Sequence, residues 1–257
     1  LILGKDKSKL SKRHGATSAL EYRDQGFLAD AVFNFMCLLG WSPGDDTEVM
    51  TREEIVRRFS IDRINDSPAT FDAEKLEWMN GVYIRNMSED ELIDHLLPFM
   101  ERPEAGGGLP DTVDRPIDRV YLKKLIPLVH ERLKLLTEGT ETLDFFFADN
   151  VNPAAEDLPG RKMDMAMTET ALEAAFGLCK TVSSFEPEHL EAEYRALAEK
   201  IEMKPGQLFS PIRVATTGKA FAPPLFDTMA AIGQARCVER IENALSIIRS
   251  AASTTAE

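Results

Sequence analysis

Apolar residues recur at the three-to-four spacing of a helix face along almost the whole chain, and the runs are punctuated by Ser/Thr caps, glycines and prolines. Such a pattern must bury one stripe of each helix against another helix, so an all-α, helix-on-helix fold is predicted. With 257 residues, 44% of them hydrophobic, the chain can fill two or three packed units and is not a disordered segment. No apolar run approaches the roughly 20 residues of a membrane span. Leu1-Ile2-Leu3-Gly4 is too short for a signal peptide.

The punctuation places the elements. Leu1-Ile2-Leu3 reads as a strand entering a Lys-rich loop, and as a lone strand with no sheet to join. From this, and from a first residue other than Met, an upstream domain is expected to be missing, with a natural or tag-cleaved terminus as the plain alternative. Ser18 with Glu21 predicts a capped short helix ending at Gly26. Phe27 to Leu39 is apolar around most of its circumference, so a buried helix is predicted there, closed by Gly40 and the Trp41-Ser42-Pro43-Gly44 turn. Thr51 with Glu54 caps a helix over 52–59. A further helix over 72–80 is expected to stop at Gly81, with Trp41, Leu76 and Trp78 in the core. Ser88 to Glu91 caps the next helix, which runs to Met100.

Residues 102–116 lack an apolar period and read as a loop or linker. A long helix is predicted over 117–136, kinked or broken at Pro127, and another includes Leu143 to Phe147. Residues 149–160 form a second boundary. Helices follow over 163–180, 187–203, 207–216, 224–232 and 234–250, before a tail that should fray.

Net charge is −13, which by itself disfavours a phosphate-rich partner. The opening segment is the exception, with Lys5, Lys7, Lys9, Lys12, Arg13 and Arg23 set against Asp6 and Glu21. Cys37, Cys179 and Cys237 are far apart and odd in number, and none belongs to a CxxC or Cys/His cluster. They indicate neither a disulfide scaffold nor a zinc site, and fit a reducing, cytoplasmic setting. His14, His95, His130 and His189 are scattered.

Two segments carry chemistry. In Lys9-Leu10-Ser11-Lys12-Arg13-His14-Gly15-Ala16, two lysines three apart with a serine between and a glycine after can fold over a polyphosphate and stabilise its charge. A solvated basic loop is the plain alternative. The other segment is Lys204-Pro205-Gly206-Gln207-Leu208-Phe209-Ser210-Pro211-Ile212-Arg213-Val214-Ala215-Thr216-Thr217-Gly218. Here Pro211 is read as opening a helix, with Arg213 projecting from its first turn, where a guanidinium can stack on or fork to an unpaired base. A surface arginine with an ion-pair partner is the plain alternative.

The first segment resembles the KMSKS signature of class I aminoacyl-tRNA synthetases, and its Leu-Ser-Lys-Arg-His-Gly form resembles the bacterial-type glutamyl-tRNA synthetases. Phe33 to Trp41, Phe71 to Arg85, Lys204 to Gly218 and Ala222 to Asp227 resemble further stretches of that family. Support is thin between about 86 and 200.

The resemblance implies the end of a catalytic domain over 1–22, a helical stem-contact domain over 23–88, and two helical anticodon-binding subdomains over 89–160 and 161–257. It implies ATP contacts by Lys9, Ser11 and Lys12, and tRNA contacts by Arg213, with Lys204, Thr217 and Arg132 as weaker candidates. Asn80, Tyr83 and Arg85 are read as capping or surface residues, with tRNA contact as the alternative. The parent enzyme would use ATP and Mg²⁺ to join glutamate to tRNA-Glu, with tRNA-Gln left open. It would act as a cytoplasmic monomer without a membrane partner. The chain alone is expected to hold no cofactor and not to activate glutamate. Rival readings are a stand-alone helical tRNA-binding module and an acidic protein-interaction scaffold. The sister glutaminyl enzyme ranks low, because its bacterial-type anticodon region is β-barrel.

Overall fold

The computed structural model describes residues 2–10, 18–102 and 108–254. The chain divides into two compact units, one of Leu1–Pro110 with Asp114–Glu141, the other of Asp111–Val113 with Thr142–Glu257. This division is coarser than the four segments expected from the sequence.

Among its described residues the first unit is built of helices and one short sheet. Strand β1 (Ile2–Leu3) pairs in parallel with β2 (Ala69–Thr70), with Ile2 opposite Ala69 and Leu3 opposite Thr70. The opening strand therefore does find a partner, supplied by the loop before the fourth helix, and the expectation of an orphan strand is corrected. The helices are α1 (Ala19–Asp24), α2 (Ala29–Leu38), α3 (Arg52–Arg58), α4 (Ala73–Arg85), α5 (Glu89–Glu101) and α6 (Arg119–Val129). Ser18, Thr51, Asp72 and Ser88 each accept a backbone N–H from the first turn, as their side-chain chemistry favours.

Three sequence expectations differ from the structure in this unit. Helix α4 does not stop at Gly81 but continues to Arg85. Gly81 lies inside the helix with the Leu133–Lys134 backbone beside it, where an added Cβ would make ordinary contacts of 3.4 Å, so it does not end the helix. Trp41 is in the core, but Trp78 is 46% exposed. The long helix predicted over 117–136 is α6, then one turn of 3₁₀ helix (His130–Arg132), then an irregular stretch. Pro127 sits inside α6, which ends two residues later.

Phe35, Phe71, Leu76 and Met79 form one core cluster, with Phe35 edge-on to Phe71 at 5.1 Å. The fully buried Asn80 ties three segments together. Its Oδ1 accepts the Leu28 N–H at 2.8 Å, and its Nδ2 donates to the Lys134 carbonyl at 2.5 Å and the Gly26 carbonyl at 3.5 Å. The Tyr83 hydroxyl sits between Asn34 Oδ1 and the Met50 carbonyl. Asn80 and Tyr83 are thus internal fasteners.

Helix α7 (Thr137–Phe147) runs across the boundary between the units. The second unit contains α8 (Met165–Thr181), α9 (Pro187–Lys200), α10 (Pro205–Thr217), α11 (Leu225–Ile232) and α12 (Gln234–Thr254). Its core is one buried stripe per helix: Leu172, Ala175 and Cys179; Leu190, Tyr194 and Ala198; Leu208, Ile212 and Ala215; Phe226 and Met229; Ile241, Ala244 and Ile248. These are the three-to-four spacings that the sequence displays. Among the described residues no helix is long and apolar enough to cross a membrane.

Candidate nucleic-acid interface

The basic segment at the start of the chain enters from a braced turn. Gly4 N–H donates to the Ser8 carbonyl at 2.8 Å, and Leu10 N–H to the Ile2 carbonyl at 3.0 Å, so the backbone doubles back on itself. Asp6 Oδ1 accepts from both the N–H and the hydroxyl of Ser8, at 3.0 and 2.9 Å. Lys7 adopts φ 61° to complete the turn. Lys5 pairs with Glu74 at 2.8 Å and Asp72 at 3.4 Å. The hydrogen bond that its ammonium donates to Glu74 raises its pKa most, and the two carboxylates hold that ammonium at the start of α4. Lys9 stands opposite Leu3 in an isolated antiparallel bridge with its side chain exposed. Lys5 is therefore committed within the protein, while Lys9 faces solvent at the mouth of the predicted phosphate loop. Ser11 and Lys12, the other residues assigned to ATP, lie outside the described residues.

The second basic segment folds as α10 and the turn after it. The helix begins earlier than predicted. Pro205 occupies the first helical position, and Pro211 lies in the interior, so Pro211 does not open the helix. The Lys204 N–H donates to Gln207 Oε1 at 3.2 Å, which with Pro205 satisfies the helix start. Lys204 keeps its side chain exposed. Arg213 is consequently in the third turn rather than the first. Its flanking residues Ile212 and Val214 are buried, and Arg213 itself is partly exposed.

Thr217 is 1% exposed. Its hydroxyl lies 2.7 Å from the Arg213 carbonyl and accepts the Lys219 N–H at 3.1 Å. From there it shapes the end of α10 and offers no hydroxyl to solvent. Gly218 closes the helix in the left-handed conformation at φ 73°, with its N–H on the Val214 carbonyl at 2.8 Å. Lys219 then donates to both carboxylate oxygens of Asp144 at 2.8 Å. Two residues further, Phe221 is 93% exposed.

Arg213 thus lies in α10, Lys204 caps the start of that helix, and Phe221 lies in the turn that follows it. Arg132 is exposed on the 3₁₀ turn of the first unit and does not belong to this helix. Phe221 was missed because a single aromatic in a turn carries no periodic signal. Its context, between Gly218-Lys219 and Pro223-Pro224, was available.

The first unit also has an open cleft of about 960 Å³ lined by Glu21, Arg23, Asp24, Phe27, His95 and Arg102, among others. Its charges are of both signs, and Arg23 is bonded to Asp24 at 2.9 Å. It is less suited to a phosphate chain than the segments above.

The sequence matches the family described as "Anticodon binding domain" over residues 91–245, and that described as "tRNA synthetases class I (E and Q), catalytic domain" over residues 1–78. It is 45% identical over 251 residues to a glutamate–tRNA ligase of Roseiflexus castenholzii, covering 97% of this chain and 49% of that one. It is 40% identical over 249 residues to a glutamate–tRNA ligase of Dehalococcoides mccartyi, covering 96% of this chain and 50% of that one. The fold is similar to that of a solved glutamate tRNA ligase from Elizabethkingia meningosepticum. That similarity has a TM-score of 0.75 at 24% identity, over 96% of this chain and 50% of the other. The chain spans about half the length of the curated relatives it matches.

Proposed function

We infer the function of this chain from the family to which it belongs, that of the anticodon binding domain, joined here to a stretch of the class I (E and Q) tRNA synthetase catalytic domain. The chain is the tRNA-reading half of a glutamate–tRNA ligase, an enzyme that uses ATP to attach glutamate to tRNA-Glu. The observation that carries this reading is the presence of both family matches in one chain whose curated relatives bear that name.

Arg213 on α10 and Lys204 at its N-cap are the tRNA contacts, and Phe221 offers an exposed ring on which an unpaired base can stack. Thr217 supports them from inside. Arg132 is a further candidate on the first unit. Lys9, with Ser11 and Lys12, is the grip for ATP phosphates. The exposed ammonium of Lys9 at the mouth of a braced turn suits a polyanion. When bound, ATP supplies the group that activates the glutamate carboxylate. We assign no residue of this chain to Mg²⁺. Action as a monomer in the cytoplasm belongs to the same proposal.

The test is tRNA binding by gel shift, with tRNA-Glu, tRNA-Gln and tRNA-Glu carrying a substituted anticodon. The chain should bind tRNA-Glu in a salt-sensitive manner, and Arg213→Ala should erase the difference between native and substituted anticodons. Phe221→Ala should weaken binding by about 5- to 150-fold, the range expected for a lost base stack. A chain that binds none of these RNAs would instead support the protein-interaction scaffold.

A further inference from the structure

Arg240 is the largest fully buried side chain among the described residues, at 0% exposure. A guanidinium in such a place must hand its donors to fixed acceptors, because an uncompensated buried charge is strongly destabilising. Its acceptors are the open ends of two helices. Nη1 donates to the Thr216 carbonyl at 2.7 Å, and Nη2 to the Phe145 and Ala148 carbonyls at 2.8 and 2.6 Å. Phe145 and Ala148 are at the end of α7, and Thr216 is at the end of α10. Terminal carbonyls lack partners within their own helix and carry its negative dipole, so one cation satisfies both ends.

The end of α10 is also where the proposed reading residue is anchored. The Thr216 hydroxyl donates to the Ile212 carbonyl at 2.8 Å and also lies 3.3 Å from the Arg213 carbonyl, while the Thr217 hydroxyl lies 2.7 Å from that same carbonyl. The backbone of Arg213 and the carbonyl of Thr216 therefore share one tightened turn, and Arg240 fixes that turn from below. Lys219, bonded to Asp144, pins the chain just beyond it. Arg236, one helical turn before Arg240, provides an internal comparison. It donates to the Phe146 carbonyl at 2.8 Å and the Ile232 carbonyl at 3.0 Å, so it also holds the end of α7 but is bonded to α11 rather than α10.

We infer that Arg240 is a positioning residue for tRNA recognition: its fork locks the last turn of α10 and so sets the pose from which Arg213 reads an unpaired base. The inference rests on α10 being the reading helix. Arg236 holds α7 without setting that pose.

The experiment compares the wild-type chain with Arg213→Ala, Arg240→Met, Arg240→Lys and Arg236→Met. The readout is the ratio of affinities for tRNA-Glu and for tRNA-Glu with a substituted anticodon, measured well below each variant's thermal midpoint. Amide hydrogen exchange over residues 212–219 is followed in parallel. Arg240→Met should lower the ratio about tenfold or more and speed exchange in the last turn of α10, whereas Arg236→Met should leave the ratio within about twofold. Arg240→Lys keeps the charge but not the fork, so it should stay folded with an intermediate ratio. If Arg213→Ala leaves the ratio unchanged, the reading of α10 fails. If Arg213→Ala lowers it while Arg240→Met and Arg236→Met behave alike, the positioning role is overturned. Loss of the folded state in both Arg240 variants also overturns it, since Arg240 would then act only on the fold.

Discussion

Gly26 sits at φ +89°, where an added Cβ would come within 2.7 Å of the Thr137 nitrogen and 2.8 Å of the Leu136 nitrogen. Both obstacles are backbone atoms, and the Gly26 carbonyl accepts the Leu136 N–H at 3.0 Å. The residue is therefore a turn and a docking point at once. Gly26→Ala combines left-handed strain with a backbone collision and should destabilise the first unit by about 2–4 kcal/mol in urea unfolding. A loss under about 0.5 kcal/mol would mean that this approach is not rigid.

Tyr83 gives a pH test in the same unit. Burial first, then the nearby Asp30 carboxylate, pushes its phenol up to about 12. An unfolded tyrosine titrates near about 10, so the folded state favours the protonated phenol. Its contribution to stability is full below pH about 10 and is lost as pH rises from there towards 12. The difference in phenolate absorbance between the wild type and Tyr83→Phe should show a midpoint close to 12. A midpoint at the ordinary tyrosine value would contradict the fastening of this hydroxyl between Asn34 and Met50.

At the scale of elements, three helices among the described residues carry an internal proline: Pro98 in α5, Pro127 in α6 and Pro211 in α10. Each lacks the N–H that would bond four residues back. Pro98 is exposed, so little packing depends on its ring. Pro98→Ala would give the Asp94 carbonyl a donor and should raise the stability of the first unit by about 1–3 kcal/mol, read as a higher denaturation midpoint. A fall in stability would show that the ring is needed where α5 borders its cleft. The helix ends were legible where a side chain does the capping, as at Ser18, Thr51 and Ser88, because that chemistry is local. They were misread at Gly81 and Pro211, because a glycine or proline is tolerated inside a helix that packing holds, and packing partners are distant in sequence.

At the scale of the whole molecule, 43 acidic residues against 30 basic ones leave the chain strongly negative. A nucleic-acid partner must then be held by a few local cations and by base contacts. The logarithm of tRNA affinity should fall against the logarithm of salt with a slope of only about −2 to −4, as for a handful of phosphate contacts. A slope near −10, measured by filter binding across a salt series, would require a broad basic surface that this composition does not offer.

The sequence by itself determined the all-α class and most helix starts, and it nominated the two segments from which contacts with ATP and tRNA are proposed. Periodicity, capping and short motifs act within a few residues of one another, and a reader needs nothing else to find them. It also singled out Arg213, although not its place in the helix. Only the tertiary structure decided that the opening strand has a parallel partner at Ala69–Thr70, that Trp78 is largely outside the core, and that Thr217 faces inward. Only it brought Arg240 to the ends of two helices that lie 24 and 95 residues away in sequence. An arginine in an amphipathic helix reads as a surface charge until the fold shows carbonyls converging on it. That convergence is long-range packing, which no local pattern encodes.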